Sequence, residues 1–258
     1  MPAGLVTAVL GALFVLSPQP QDPAYHQFAD QRSLWGLPHF WNVVTNLPFV
    51  LIGGCGLWLL LRDGGLGRGR RFLDAREKWP FLVVFLGVFL TGFGSAYYHA
   101  DPTNERLLWD RLPMAVAFTA LFAAILGERT RPQVGLVLLA PLVLLGVGSV
   151  LWWYVGERAG VGNLRPYLAV QFYPLLAIPL LLLFAPARYT RGSDYLVALA
   201  WYALAKGLEQ ADRQLFERLG GVGGHPLKHL AAAMGAFWIL RMVGLRRPVE
   251  PFRSEPEA

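Results

Sequence analysis

The sequence predicts an all-α polytopic membrane protein: a seven-transmembrane-helix core preceded by one further apolar segment. Three observations predict it. The 258-residue chain is 55% hydrophobic and only 16% charged, with a mean hydropathy of +0.41, too apolar to supply the aqueous surface of a soluble domain this size. Its apolar residues come in runs, most of them near the ~20 residues that cross a bilayer. The polar breaks between the core runs are short, the longest being Arg62 to Lys78, so no soluble domain fits between them.

Taken in order, the first run, residues 4–17, is short and ends in Ser17-Pro-Gln-Pro-Gln-Asp-Pro23. It reads as a signal or an eighth helix within an N-terminal segment 1–18, although no Lys or Arg forms a charged leader. Residues 19–39 form an extracytoplasmic segment. The core domain, 40–247, holds spans at about 40–61, 80–99, 107–127, 134–155, 166–185, 194–211 and 226–244, followed by a charged, proline-bearing cytoplasmic tail at 248–258. Trp41, Trp79, Trp109, Trp152 and Trp153 fall near span ends, where an aromatic belt is expected.

Net charge is +6 and the pI about 9.7, but the basic residues cluster between apolar runs, which argues for topology rather than nucleic acid. With mid-span Lys206 set aside, Lys and Arg divide fourteen against eight between the two sides of the core. That asymmetry puts the C-terminus in the cytoplasm, with the cell inner membrane as the expected location. Cys55 is the single cysteine, so neither an intrachain disulfide nor a cysteine metal knuckle is available.

The chemistry lies in three of the five histidines. Ser95-Ala-Tyr-Tyr-His99 ends the second core span, and His225-Pro-Leu-Lys-His229 opens the seventh. Residues four apart share a helical face, so His225 and His229 can turn two imidazoles toward one metal while His99 adds a third from another helix. Three histidines with an open fourth position describe a catalytic zinc site. The His-x-x-x-His spacing alone is common by chance. Here Gly220-Gly-Val-Gly-Gly224 ends the preceding loop and Pro226 suits a first helical turn, which sets His225 at the helix start. The soluble zinc-protease pattern is absent because Pro226 stands where its glutamate would be. Asp110, eleven residues after His99, is therefore the candidate base, and Ser95 the candidate oxyanion donor. Under the charge-derived topology all these residues reach the same membrane face, and ionisable groups there are costly unless they serve a wet or partnered site.

This combination resembles the alkaline ceramidases and, more broadly, the superfamily that unites them with the progestin and adiponectin receptors. The resemblance rests on Phe40-Trp-Asn42 with Asn46, Gly94-Ser-Ala-Tyr-Tyr-His99, Trp109-Asp-Arg-Leu-Pro-Met114 and His225 to His229, in that order. It implies Zn2+ held by His99, His225 and His229, with Ser95 and Asp110 as catalytic partners. The expected activity is an intramembrane zinc-dependent amidohydrolase acting on a linear lipid amide, ceramide or another N-acyl lipid, with zinc-activated water attacking the carbonyl. Arg111 stands where ceramidases carry an acid. Where those enzymes bind calcium through an acidic Asp-Trp-Cys-Glu-x-Asn segment, this chain reads Phe28-Ala-Asp-Gln-Arg-Ser-Leu-Trp-Gly36, whose only acid, Asp30, sits near Arg32. A hard cation wants several oxygens, so calcium is not expected.

Asn46, Tyr98, Gln171, Lys206 and Glu209 are candidate substrate contacts. For Asn46, Gln171, Lys206 and Glu209, with Asp212, an internal polar cluster that fixes helix packing is the first reading. The expected partner is a membrane lipid, and nothing in the sequence points to a protein partner. The alternative class is a receptor-like seven-helix protein with a structural zinc. A metal-free route with Ser95 as nucleophile and His99 as base leaves the distant histidine pair unexplained.

Overall fold

The computed structural model describes residues 11, 15, 17–62 and 71–249. The protein is all-α: among the described residues, β pairing is limited to two isolated bridges, Leu34 with Leu37 and Tyr189 with Pro248. Most of the first apolar run and the end of the chain lie outside the described residues.

The helices are α1 (Phe40–Val44), α2 (Leu47–Arg62), α3 (Lys78–Ala100), α4 (Asn104–Arg129), α5 (Pro132–Arg158), α6 (Arg165–Phe184), α7 (Ser193–Gln210), α8 (Asp212–Arg218) and α9 (Gly224–Leu245). α1 and α2 form one span, broken where Pro48 has no N–H to offer the Val44 carbonyl. Thr103 caps α4 by accepting from the Arg106 N–H, so a turn of three residues reverses the chain between α3 and α4. Pro132 starts α5, where its missing donor costs nothing.

Five of these stretches, Phe40–Arg62, Ala75–Ala100, Asn104–Arg129, Pro132–Arg158 and Arg165–Phe184, are long and apolar enough to cross a membrane. The sequence expects seven. α7 and α9 carry Asp194, Lys206, Glu209, His225, Lys228 and His229, which lower their hydropathy below that of the other five. Both belong to the same bundle, α9 packing on α7 and α2. The outer faces present Leu51, Leu61, Val137, Leu144, Leu183 and Phe184, an apolar exterior suited to lipid rather than water.

α4 is central, packed against α3, α5 and α6, whereas α6 meets α7 at few points. The interior has two apolar clusters. Phe81, Phe85, Ile125, Ile178 and Met242 fill one end, and Phe28, Tyr98, Leu107, Trp153 and Tyr167 the other. At the first end Arg246 is buried against Glu128 and sandwiched by the rings of Phe72 and Tyr189, with centroids 4.3 and 4.4 Å away. A charge buried so fully has to be paired.

The α3–α4 contact has no room for a side chain at position 94. A Cβ there would collide with the Trp109 carbonyl, a backbone atom that cannot swing aside. Glycine thus sets how closely Ser95 approaches Asp110. Gly94→Ala is expected to lower stability by roughly 1–3 kcal/mol, as overpacking does. Thermal unfolding in detergent would show this as a drop in Tm. Gly148→Ala is the control, since a Cβ at position 148 meets nothing within 4 Å.

Candidate metal centre and adjoining cavity

The two histidine motifs meet at one end of the bundle. His99 stands on the last turn of α3, and His225 and His229 are one turn apart at the start of α9; all three are at least nine-tenths buried. One ring nitrogen from each lies within 4.8 Å of the others, and the Nε2 atoms of His99 and His225 are 2.8 Å apart. Glycine makes this possible again: a Cβ at Gly224 would strike the Leu208 carbonyl. The start of α9 is held by Asp212 at the head of α8, whose carboxylate accepts from the His225 N–H at 2.8 Å and the Ala29 N–H at 2.9 Å. Asp212 therefore opens a separate short helix and caps the site, rather than completing the sixth core span as its sequence position implies. Phe28 lies over the histidines, its ring 4.9 Å from His99 and 4.5 Å from His225.

Hydrogen bonding determines where each imidazole carries its proton. His99 Nδ1 is 2.6 Å from the Ser95 carbonyl, which can only accept, so Nδ1 bears the hydrogen and Nε2 a lone pair. Thr45 spends its hydroxyl hydrogen on the Trp41 carbonyl at 2.6 Å and must accept from His229 Nδ1 at 2.9 Å. His229 Nε2 is then a lone pair as well, buried and without a hydrogen-bond partner. Lys228 Nζ, which can only donate, is 3.1 Å from His225 Nε2. Three ring nitrogens thus converge as acceptors, with the Lys228 ammonium reaching one of them from the side. That arrangement fits a cation: neutral imidazoles suit zinc, copper or nickel, and the rings of His99 and His229 are oriented through their other nitrogen.

Ser95 and Asp110 lie beside this centre, both buried. The Ser95 hydroxyl is 3.3 Å from His99 Nδ1. With His229 they line a cavity of about 340 Å³. One wall of it, through Phe49, Thr91, Met114, Gln171 and Tyr202, is shared with an apolar pocket of about 150 Å³ that runs into the bundle core. Its polar wall includes Gln21, Tyr25, Arg111, Lys206, Glu209 and Lys228.

Of the candidate contacts read from sequence, Gln171, Lys206 and Glu209 line the cavity. Asn46 and Tyr98 are not among its lining residues. The Asn46 amide donates to the Asn42 carbonyl at 2.7 Å, one turn back, and the Tyr98 hydroxyl pairs with His26 Nδ1 at 3.0 Å. Lys206 and Lys228 both end on Glu209.

Sequence reading passed over Thr45, Phe28, Lys228 and the segment Gln19–His26. That segment covers the polar wall, tied down where Glu157 accepts from the Gln21 N–H at 2.6 Å and Gln19 accepts from the Leu164 N–H at 2.8 Å. Lys228 alone carried a signal, since it sits inside the histidine motif. Asp30, the acid of the neighbouring stretch, is engaged by Arg32 through two side-chain bonds of 2.8 and 2.7 Å. Desolvation opposes its ionisation, but those bonds hold its pKa below the usual carboxylate value.

Thr45→Val removes the acceptor that fixes the His229 ring while keeping its shape. It is expected to weaken metal affinity by about 10- to 100-fold. Competition titration with a chromogenic chelator measures this; unchanged affinity would mean that the threonine does not set the tautomer.

Comparison with known proteins gives two results. Residues 37–185 match the profile of the ceramidase family. The chain is also 26% identical over 156 residues to a candidate alkaline ceramidase of Dictyostelium discoideum, covering 57% of this chain and 48% of that one. The chain spans about half the length of this curated relative. Ser95, His99 and Asp110 lie inside the family match, whereas His225 and His229 lie beyond it.

Proposed function

The chain belongs to the ceramidase family, and on that premise we propose that it is a zinc-dependent hydrolase of a lipid amide bond, cutting ceramide or another N-acyl lipid within the membrane. The observation that carries the reading is the convergence of three imidazole nitrogens that accept rather than donate, beside Ser95 and Asp110, in a cavity that shares a wall with an apolar pocket. Zinc held by His99, His225 and His229 would supply Lewis acidity, polarising the amide carbonyl and bringing the pKa of water to about 7.

The residues divide the remaining work. The apolar pocket takes the acyl chain, which sets the amide carbonyl near Ser95 and turns the amine half toward the polar wall. Asp110 accepts the proton of the attacking water as the new C–O bond forms, then delivers it to the departing nitrogen as the C–N bond breaks, giving fatty acid and amine. The Ser95 hydroxyl lies in the same cavity as Asp110 and can donate to it while that group is a carboxylate. Once Asp110 takes a proton, Ser95 is free to donate to the oxygen that was the amide carbonyl. The sparse α6–α7 contact supports lateral access from the bilayer, because residues of both helices line the cavity.

Asp110→Asn keeps the shape but cannot take the proton. It is expected to retain metal by elemental analysis while losing most fatty-acid release from N-acyl lipids in detergent or nanodiscs. Ser95→Ala is expected to lose about 10²- to 10³-fold in kcat, as removal of one oxyanion donor does. His225→Ala, or chelation of the wild type, should remove metal and turnover together. Metal without turnover on any N-acyl lipid would favour the receptor-like class, and a trapped acyl adduct on Ser95 would replace the water mechanism with a serine nucleophile.

The site is proposed to face outward, from the basic asymmetry of the loops. In a Cys55→Ser background, a cysteine replacing Val222 should react with an impermeant maleimide in intact cells, while one replacing Ser193 should react only after lysis. The opposite pattern would invert the topology.

A further inference from the structure

The polar wall of the cavity contains three cations, and they are not equivalent. Lys206 and Lys228 both end on Glu209, which is itself bonded by the Tyr25 hydroxyl at 3.2 Å. Arg111, on α4, is different. Its Nη2 donates to the Gln21 side-chain carbonyl at 2.6 Å, but its Nη1 is buried with no hydrogen-bond partner. Only 5% of the residue is exposed, and it lines the same cavity as Ser95, Asp110 and His229.

Nor is the guanidinium free to swing toward a partner elsewhere. Its carbon sits 4.2 Å from the Trp153 ring centroid, 4.9 Å from Tyr167 and 5.6 Å from Tyr25, so aromatic faces hold the plane from several sides. Arg106, the neighbouring arginine on the same helix, takes Asp101 at 3.1 Å instead. A buried guanidinium donor left unmade is expensive, and an arginine fork pre-set in a buried cavity matches a carboxylate or phosphate oxygen. On the reading above the acyl chain belongs to the apolar pocket, which Arg111 does not line, so the group that reaches Arg111 comes from the amine half of the substrate.

We propose that Arg111 is a specificity-determining residue that binds an anionic oxygen on the amine half of the lipid amide, so that the preferred substrates are N-acyl lipids with a carboxylate or phosphate in the head group rather than neutral ceramide. This rests on the lipid-amide reading above, but its test does not depend on turnover. Arg111 acts by binding and positioning; it takes no part in the proton transfers.

The experiment uses the full chain in nanodiscs, stripped of metal with chelator so that nothing is hydrolysed. Binding is measured by competition against a fluorescent acyl probe. The competitors share a palmitoyl chain: N-palmitoylglycine and N-palmitoyl phosphoethanolamine as the anionic amides, C16 ceramide and N-palmitoylethanolamine as the neutral ones, and palmitate as an anion with no amine half. The wild type is expected to prefer the anionic amides by about tenfold or more, the range of one charge-assisted hydrogen bond. Whether glycine or phosphoethanolamine binds tighter identifies the anion. Arg111→Gln should erase most of that preference, and Arg111→Lys should restore part of it. The wild-type comparison stands even if a variant misfolds.

Equal or tighter binding of the neutral amides by the wild type overturns the proposal, as does a preference that survives Arg111→Gln. Palmitate binding with the same dependence on Arg111 as the anionic amides overturns it too, since the anion read would then be the acid product. Restoring zinc and assaying turnover afterwards tests the hydrolase reading separately. Anion preference without turnover would sink the hydrolase reading and leave the Arg111 subsite standing, whereas turnover without anion preference would do the reverse.

Discussion

Everything at the functional end of this bundle depends on three imidazole nitrogens that all present lone pairs to one small volume. Left alone, such an arrangement is repulsive, and it persists because each ring is oriented from behind or from the side: His99 by the Ser95 carbonyl, His229 by Thr45, His225 by Lys228. The surrounding fold serves that convergence. Glycines at 94 and 224 let backbones approach where a Cβ would collide, Asp212 caps the helix that carries two of the histidines, and Phe28 closes the apolar side.

The parts of this arrangement visible in the sequence were those carried by local periodicity. Apolar run lengths marked every long helix, and spacing of four put His225 with His229 and Ser95 with His99. What stayed hidden depends on contacts between distant positions. Nothing near Thr45 announces that its hydroxyl orients a histidine 184 positions away. Nor does the stretch around Gln21 announce that it folds over Arg111. Asn46 and Tyr98 lie outside the cavity lining, the Asn46 NH2 group donating within its own helix while its Oδ1 has no partner, and the Tyr98 hydroxyl pairing with His26. Hydropathy undercounts α7 and α9 for a related reason, since their polar residues include several that turn inward to the site and leave less apolar sequence to detect.

The interior is divided into ends with different physics. Around Arg246 and Glu128, charge is paired within the protein and wrapped in aromatic rings. Around Arg111, similar rings hold a cation whose second donor nitrogen has no protein partner. Each keeps one buried donor nitrogen without a partner, but Arg246 meets its counter-charge inside the protein, whereas Arg111 is bonded by the neutral Gln21 side chain.

The segment Gln19–His26, pinned to Glu157 and Leu164 across the polar wall, bears on traffic through the site. Amide hydrolysis joins reactants of opposite solubility, a lipid and water. On the proposed reading the lipid comes sideways between α6 and α7, and water crosses the covered polar end. Water would then be the rationed reactant, metered by how often this short strap loosens. A chain cut or lengthened in that segment would change the rate of hydrolysis without touching any residue that does the chemistry.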